Sequence, residues 1–476
     1  DQILQCECSE LMVTVTDPHH RHAARAPAAP SRLSTGPQSR VLQGQLPLPA
    51  VLYLVSVVLP IMFNVGPLVL SGLRLYLLLL IIPLMVQLFS GRFGRVFIID
   101  ILFILHIGWA TVALAMNNPD RVVEQVGSVG MEFLGGYLVG RAYIRTPEAF
   151  AALCRWVVFL VLCTVPFAIV ETQTGRPIII DSIQKLPGIF SVADVNIDLR
   201  MGLERAQVNF AHPIHYGLFC SIAFSLAFVA LKDLTSPTRR YVTSCLVMLS
   251  GFLALSSGAL LAIVLQLFLI IWAALFDKIR WRWWLLLGLG CLAYVVIDIL
   301  SNRSPVVAVL SRLAFSTHNL YWRTIIFEWG MKNVWDNPIF GIGLNDWERP
   351  HFMHSGSMDN FWLVMAVRYG IPGFLSLALG YVLGLFQVMR RNFEGDPVLL
   401  NLRRAWVFTF MGLSFTLSTV HVWTNIYSFV FFMFGAGIWF ITAAPRSGEA
   451  ASSESPDEPR GILPYTRFSG PKKTEA

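Results

Sequence analysis

The chain has 476 residues, of which 55% are hydrophobic and 14% charged, with a mean hydropathy of +0.61. Soluble domains carry about a quarter of charged residues, so this composition excludes an ordinary soluble protein and points to a bilayer as solvent. The net charge of +7 does not indicate nucleic-acid binding, because the basic residues fall between apolar runs, where orientation signals belong.

Residues 1–47 are polar and rich in Pro, Ala, Ser, Arg and His, which reads as a disordered cytoplasmic arm. From Leu48 onward, apolar runs of roughly 17 to 25 residues follow one another, the length a bilayer core demands of a helix. They fall near 48–64, 67–89, 96–116, 126–144, 149–170, 206–231, 240–255, 258–276, 282–300, 370–389, 404–420 and 424–443. The fourth is interrupted by Glu132 and several glycines. The pattern predicts an all-α integral membrane protein with about twelve transmembrane helices over 48–444 and a disordered cytoplasmic tail over 445–476.

The connecting loops test that division, because Lys and Arg collect on the cytoplasmic side. With the basic arm inside, the cytoplasmic loops carry Arg92 and Arg95, Arg141 and Arg145, Lys232 with Arg239 and Arg240, Lys278 with Arg280 and Arg282, and Arg390, Arg391, Arg403 and Arg404. Three of the opposite turns, Asn64–Pro67, Ser256–Gly258 and His421–Asn425, hold no Lys or Arg. The alternation predicts a multi-pass membrane protein with both termini cytoplasmic.

Two outer loops, 171–205 and 301–358, exceed the length of ordinary connections and so invite a functional reading. In the second, Trp322, Ile325, Ile326 and Trp329 recur at helical spacing, predicting an amphipathic helix suited to the membrane interface. A turn-forming PIFGIG segment follows it.

Of the seven cysteines, Cys6 and Cys8 lie in the arm, and Cys154, Cys163, Cys220, Cys245 and Cys291 lie in or beside apolar runs. None is in a long loop, so no disulfide framework is expected. The Cys6 and Cys8 pair lacks a second ligand pair, and neither a metal nor a cofactor is predicted.

The most specific pattern begins at Asp359 in DNFWLVMAVRYGIPG, where Asp359 and Asn360 are followed by nine residues, Gly370, two residues and Gly373. Earlier stretches are RAQVNFAHPIHYG over 205–217 and RTIIFEWGMKNVWDNPIFGIG over 323–343. Together these resemble the O-antigen ligase and polymerase superfamily of bacterial membrane glycosyltransferases. That family has an arginine leading to His-Pro, a second arginine ahead of an amphipathic helix and glycine turn, and a polar pair before a spaced glycine motif. Two departures stand out. The ligase branch carries His where Asp359 stands, and its Ser, Arg, Gly triplet is Ser256, Ser257, Gly258 here. The Asp, Asn pair looks closer to the exopolysaccharide or O-antigen polymerase branch.

The resemblance implies a GT-C-like fold and transfer of a glycan from an undecaprenyl-diphosphate-linked donor to an acceptor glycan without a metal. Membrane lipid and other polysaccharide assembly and export proteins are the implied partners. A departing lipid diphosphate then needs multidentate cations, for which Arg is suited; Arg205 and Arg323 are the candidates. The attacking hydroxyl needs a general base, with Asp359 first and His354, His351 and His421 as alternatives. Arg74, His212, Asn360 and His354 are expected to bind substrate.

Each assignment has a plainer counterpart. Arg205 and Arg323 can be interfacial or solvated, Asp359 can be a helix N-cap, His212 can be structural, and Arg74 can snorkel to the surface. His106, Glu132 and Arg141 also fall in apolar runs, where ionisable groups are costly. Gly370, Pro372 and Gly373 are expected to break the chain where loop helix meets membrane helix. Ligase, polymerase and lipid-linked glycan transporter all remain open, although a transporter would be expected to show internal repeats and a midplane site.

Overall fold

The computed structural model describes residues 44–65, 68–195, 199–300 and 317–445. The predicted arm and tail, apart from their innermost residues, and the start of the second long loop lie outside the described residues, as do Cys6 and Cys8.

Among the described residues the regular structure is helical apart from one hairpin. In order come α1 (Leu48–Val58), β1 (Met62–Val65), β2 (Leu68–Ser71), α2 (Gly72–Phe89), α3 (Ile98–Asn117), α4 (Val122–Gln125), a π-helical stretch (Val126–Gly135) and α5 (Gly136–Tyr143). They are followed by α6 (Pro147–Thr174), α7 (Ile178–Gln184), α8 (Pro213–Ser225) with a π-helical extension (Leu226–Ala230), α9 (Pro237–Leu253), α10 (Ser257–Leu275) and α11 (Arg282–Leu300). After the second long loop begin α12 (Thr317–Asp336), α13 (Phe361–Met389), α14 (Pro397–Leu417) and α15 (Thr424–Gly435), the last continued by a 3-10 turn (Ile438–Ile441).

Among the described residues, eight helices are long and apolar enough to cross a membrane: α2, α3, α6, α8 with its extension, α10, α11, α13 and α15 with its turn. All twelve predicted runs contain a helix, and the other four show why they fall short of that standard. Helix α1 has 11 residues; the run holding Glu132 and Arg141 is wound as π-helix and then α-helix. Helix α9 opens with Arg239 and Arg240, and α14 carries Arg403 and Arg404.

Several boundaries differ from the sequence reading. The first two predicted helices are shortened by the β1/β2 hairpin, which pairs Met62 with Ser71 and also bridges Met62 to Phe190. Pro60 ends the first run, and Ser71 caps α2 by accepting from the Arg74 backbone N–H. The sixth begins only at Pro213, since residues 206–212 are tied elsewhere. The tenth starts at Phe361, not Gly370.

Gly370 breaks α13 with φ 69° and ψ −179°, a conformation that glycine alone adopts readily. Unwinding frees the Val367 carbonyl, and Pro372, having no N–H, frees that of Arg368. The glycine turn of PIFGIG supplies both partners: Ile342 donates its N–H to Val367 at 2.9 Å, and Gly343 donates to Arg368 at 3.0 Å. In return Ile371 donates to the Pro338 carbonyl at 2.8 Å. Gly341 and Gly370 are both needed for this approach, because a Cβ on either would collide with the facing backbone.

Helix α3 runs along α13 and closes the joint. Trp109 donates to the Tyr369 carbonyl at 3.0 Å, His106 Nδ1 meets the Gly373 carbonyl at 2.7 Å, and Asn118 accepts from Leu344 N–H at 2.7 Å. Helix α12 then lies against the first half of α13, its Gly330 beside Leu363. The amphipathic helix expected at the membrane interface therefore buries Ile326, Gly330, Asn333 and Val334 on protein.

The basic loops gather at the opposite end of the bundle. Arg145 donates to the Arg92 carbonyl at 2.9 Å, Arg141 to that of Phe93 at 3.1 Å, and Arg391 to that of Ala443 at 2.7 Å. Arg74, His106, Glu132 and Arg141, the ionisable residues singled out in the apolar runs, are each partnered. Arg141 lies 3.5 Å from Asp100, and Arg74 pairs with the buried Glu132 at 2.8 Å. Removing one member of a buried pair leaves the other charge uncompensated. Arg74→Ala is expected to lower the stability of the detergent-solubilised protein by about 3 kcal/mol, and Arg74→Met with Glu132→Leu to recover most of it. Thermal unfolding of the three proteins checks this, and a single variant as stable as the parent would refute the pairing.

Candidate functional site

At the end of the bundle away from the basic loops lies a cavity of about 890 Å³. Its walls come from three places: the end of the first long loop with the start of α8, the α9–α10 and α14–α15 turns, and the second long loop with α12 and the start of α13. Six of the candidate site residues named from the sequence line it: Arg205, Arg323, Asp359, His212, His354 and His421.

Arg205 is held by its own backbone. The Glu171 carboxylate, at the end of α6, accepts from Gln207 N–H at 2.7 Å and Val208 N–H at 2.9 Å, and Ala206 donates to the Leu253 carbonyl at 3.1 Å. The side chain so presented is 8% exposed, and its Nε and one Nη have no hydrogen-bond partner. Burial and the neighbouring Arg200 bring its pKa down to about 10, so it stays charged at neutral pH. A buried guanidinium without a counter-ion is costly, and an anion entering the cavity would relieve that cost.

Arg323 projects from α12. Burial pulls its pKa down while the nearby charge of Asp359 pushes it up. Among the described residues no carboxylate lies within ion-pair distance of either arginine. Arg323 and Asp359 therefore feel one another across open space.

Asp359 is exposed to the cavity and accepts from Ser357 Oγ at 2.8 Å. It does not cap α13. Asn360 does so, its side chain accepting from Leu363 N–H at 3.1 Å, which leaves the Asp359 carboxylate free for other work. Asn360 thus serves the helix and does not line the cavity. His212 caps α8, with Nδ1 accepting from Ile214 N–H at 3.1 Å; the bond assigns the ring proton to Nε2. His354 is exposed on the loop, His421 is half-buried on the wall, and His351 lies off it. Arg74, expected to reach a substrate, sits instead against Glu132.

Sequence reasoning missed Arg200, Arg368 and Trp423, which also line the cavity. Arg200 carried a signal, as a cation in a long outer loop. Arg368 fell among the spacer residues of the Asp359 motif, and nothing local marked Trp423. The lining has Arg200, Arg205, Arg323 and Arg368 against Asp346 and Asp359, and Asp346 is already joined to Arg349 at 2.5 Å. The N-terminal ends of α8, α10, α13 and α15 also reach this wall, adding the positive ends of their dipoles. Among the described residues no group of three or more His, Cys, Asp or Glu is placed to hold a metal ion.

Strain collects here as well. The described non-glycine residues with positive φ are Met201, Val208, Leu255 and Thr424, and each lies within three positions of a cavity residue. Such conformations cost about 1–3 kcal/mol each and cluster at functional sites.

Fold and cavity define a multi-pass helical membrane protein with a cationic, carboxylate-bearing pocket at one end of the bundle. A family model for O-antigen ligase matches residues 242–378, from α9 through the Gly370 break, taking in Arg323, Asp359 and Arg368. That match supports the resemblance to the O-antigen ligase/polymerase superfamily over those residues. Comparison with curated proteins returned no match.

His212 and His421 are pushed down to pKa values of about 4 and about 3, first by burial and then by Arg205 and Arg368 respectively. The unfolded chain takes up protons near pH 6.5, where the folded histidines do not. Stability should therefore be highest above about pH 6.5 and fall as pH drops toward 4, by about 1–2 kcal/mol per histidine after screening in the open cavity. His212→Asn, which keeps a helix-capping oxygen, should flatten that decline. Unfolding midpoints between pH 7.5 and 5 decide the matter; an unchanged slope counts against it.

Proposed function

We propose that this protein polymerises undecaprenyl-diphosphate-linked oligosaccharide repeat units at the periplasmic face of the bacterial inner membrane, with both termini cytoplasmic. The supporting observation is that Arg205 and Arg323, from separate outer loops, converge with Asp359 on one cavity and have no ion-pair partner among the described residues.

In this reading the acceptor hydroxyl gives its proton to Asp359 while its oxygen bonds to the anomeric carbon of the donor glycan. The bond from that carbon to the diphosphate oxygen breaks, and the electron pair leaves with the lipid diphosphate. Arg205 and Arg323 stabilise the charge that develops there, a role for which preorganised cations in a desolvated pocket are well suited. Arginines take the place that a metal holds in other diphosphate chemistry. Arg200 and the α10 N-terminus at Ser257 and Gly258 add further positive potential.

Ligation of a finished glycan to a different acceptor is the second reading, favoured by the description of the matching family model. The two share every step above and differ in acceptor. Transport is less well supported, since the polar residues collect at one end of the bundle and not at a midplane site.

Arg205→Ala and Arg323→Ala should each cut polymer formation about 100-fold or more while protein level and membrane insertion stay normal. Full-length polysaccharide from both variants would overturn the reading. In cells lacking the chain, single repeat units on lipid indicate a polymerase, and long unligated polymer on lipid indicates a ligase.

A further inference from the structure

Four aromatic side chains line the cavity: Trp322, Trp347, Phe352 and Trp423. Three are engaged with the second long loop. Trp347 is 7% exposed and donates its indole N–H to the Gly356 carbonyl at 3.0 Å, and Trp322 packs on Phe352 with ring centroids 6.1 Å apart. Trp423 differs from all of these. It comes from the turn between α14 and α15, is 37% exposed, and gives its indole N–H to no acceptor among the described residues.

The ring is nevertheless fixed. His215, fully buried on α8, packs across it at 4.0 Å and 67°. His212 and His421 flank it, each 5.9 Å away between ring centroids. Its backbone is extended at φ −147°, and the next residue, Thr424, is held at φ 53°. A β-branched residue is a genuine outlier in that region. The fold thus accepts local strain to aim an indole that makes no hydrogen bond of its own.

The position of the ring narrows what it meets. His212, on one flank, feels the charges of both Arg205 and Asp359, and His421, on the other, feels Arg368. Trp423 therefore borders the ground between the diphosphate-binding arginines and the carboxylate. A pyranose presents a face of C–H bonds rimmed by hydroxyls. The π face of an indole matches the first, and an unused N–H can donate to the second.

We propose that Trp423 is a stacking platform for the sugar ring attached to the diphosphate, and that it sets how well the cavity distinguishes a glycosylated lipid diphosphate from a bare one. The inference rests on the glycan-transfer reading and adds to it a determinant for the sugar itself. Trp423 orients the ring whose anomeric carbon is attacked, while the arginines hold the diphosphate.

The experiment measures binding to the full chain in lipid nanodiscs. The two probes are undecaprenyl diphosphate and the lipid-linked repeat unit extracted from cells lacking this chain. The wild-type protein is expected to bind both, the glycosylated lipid more tightly. Trp423→Ala should weaken binding of the glycosylated lipid about tenfold or more and leave bare undecaprenyl diphosphate unchanged, which also shows that the variant is folded. Trp423→Phe should retain most of the preference, and Arg205→Ala should lose both lipids. The platform is overturned if Trp423→Ala binds the glycosylated lipid as tightly as wild type, or loses both lipids equally. If wild type binds neither lipid, it is the underlying transfer reading that fails.

Discussion

A helix unwound within a membrane protein leaves backbone groups that lipid cannot satisfy, and their only acceptable partners are other parts of the protein. The break at Gly370 and Pro372 is such a point, and the candidate site depends on its repair. Because Ile342 and Gly343 answer the Val367 and Arg368 carbonyls while Ile371 answers Pro338, the glycine turn cannot shift without orphaning both strands of the joint. That turn ends the segment begun by α12, so the same hydrogen bonds that mend α13 also hold the helix bearing Arg323 beside the one that begins after Asp359. Helix α3 closes the joint through Trp109, Asn117 and Asn118. One backbone defect thus fixes two of the three charged groups, Arg323 and Asp359, on which the proposed chemistry rests.

The third, Arg205, is fixed by different means toward the same end. The Glu171 carboxylate binds two successive backbone N–H groups, a charge-assisted arrangement stronger than neutral hydrogen bonds, and Val208 is held at positive φ. The structure secures the backbone beside Arg205 and leaves its guanidinium without an ion-pair partner among the described residues. A protein folding for stability alone would do the reverse, pairing the charge and relaxing the chain. Contrast Arg74 and Arg141, equally improbable in apolar runs, which are neutralised by Glu132 and Asp100. The difference between a partnered and an unpartnered buried arginine separates scaffold from site here.

That distinction explains how much the sequence revealed. The helical architecture and the alternation of basic loops were legible because bilayer thickness and charge bias act on long segments, where composition suffices. Asp359, Arg323 and Arg205 were legible because each belongs to a spaced pattern. Arg74 was misplaced because a charge in an apolar run looks the same whether or not a partner such as Glu132 waits 58 residues away. The β1/β2 hairpin was missed because its residues are as apolar as the helices around it. Trp423 could not be found at all, since its significance lies in facing His212 and His215 from a different part of the chain.

Under the proposed transfer, the cavity has to meet two electrostatic demands that oppose each other. Stabilising a departing diphosphate calls for concentrated positive potential, which lowers the basicity of any carboxylate nearby, whereas accepting a proton from a hydroxyl calls for a carboxylate that keeps its basicity. The structure eases the conflict by distance and exposure. Arg205 is buried and Asp359 is exposed to the cavity, with no ion pair closing between Asp359 and Arg323. A carboxylate locked onto an arginine would be too weak a base and would neutralise a cation the diphosphate needs. Held apart, the two charges leave between them a space of opposite polarity at its two ends, the environment a hydroxyl and a diphosphate would have to share during transfer.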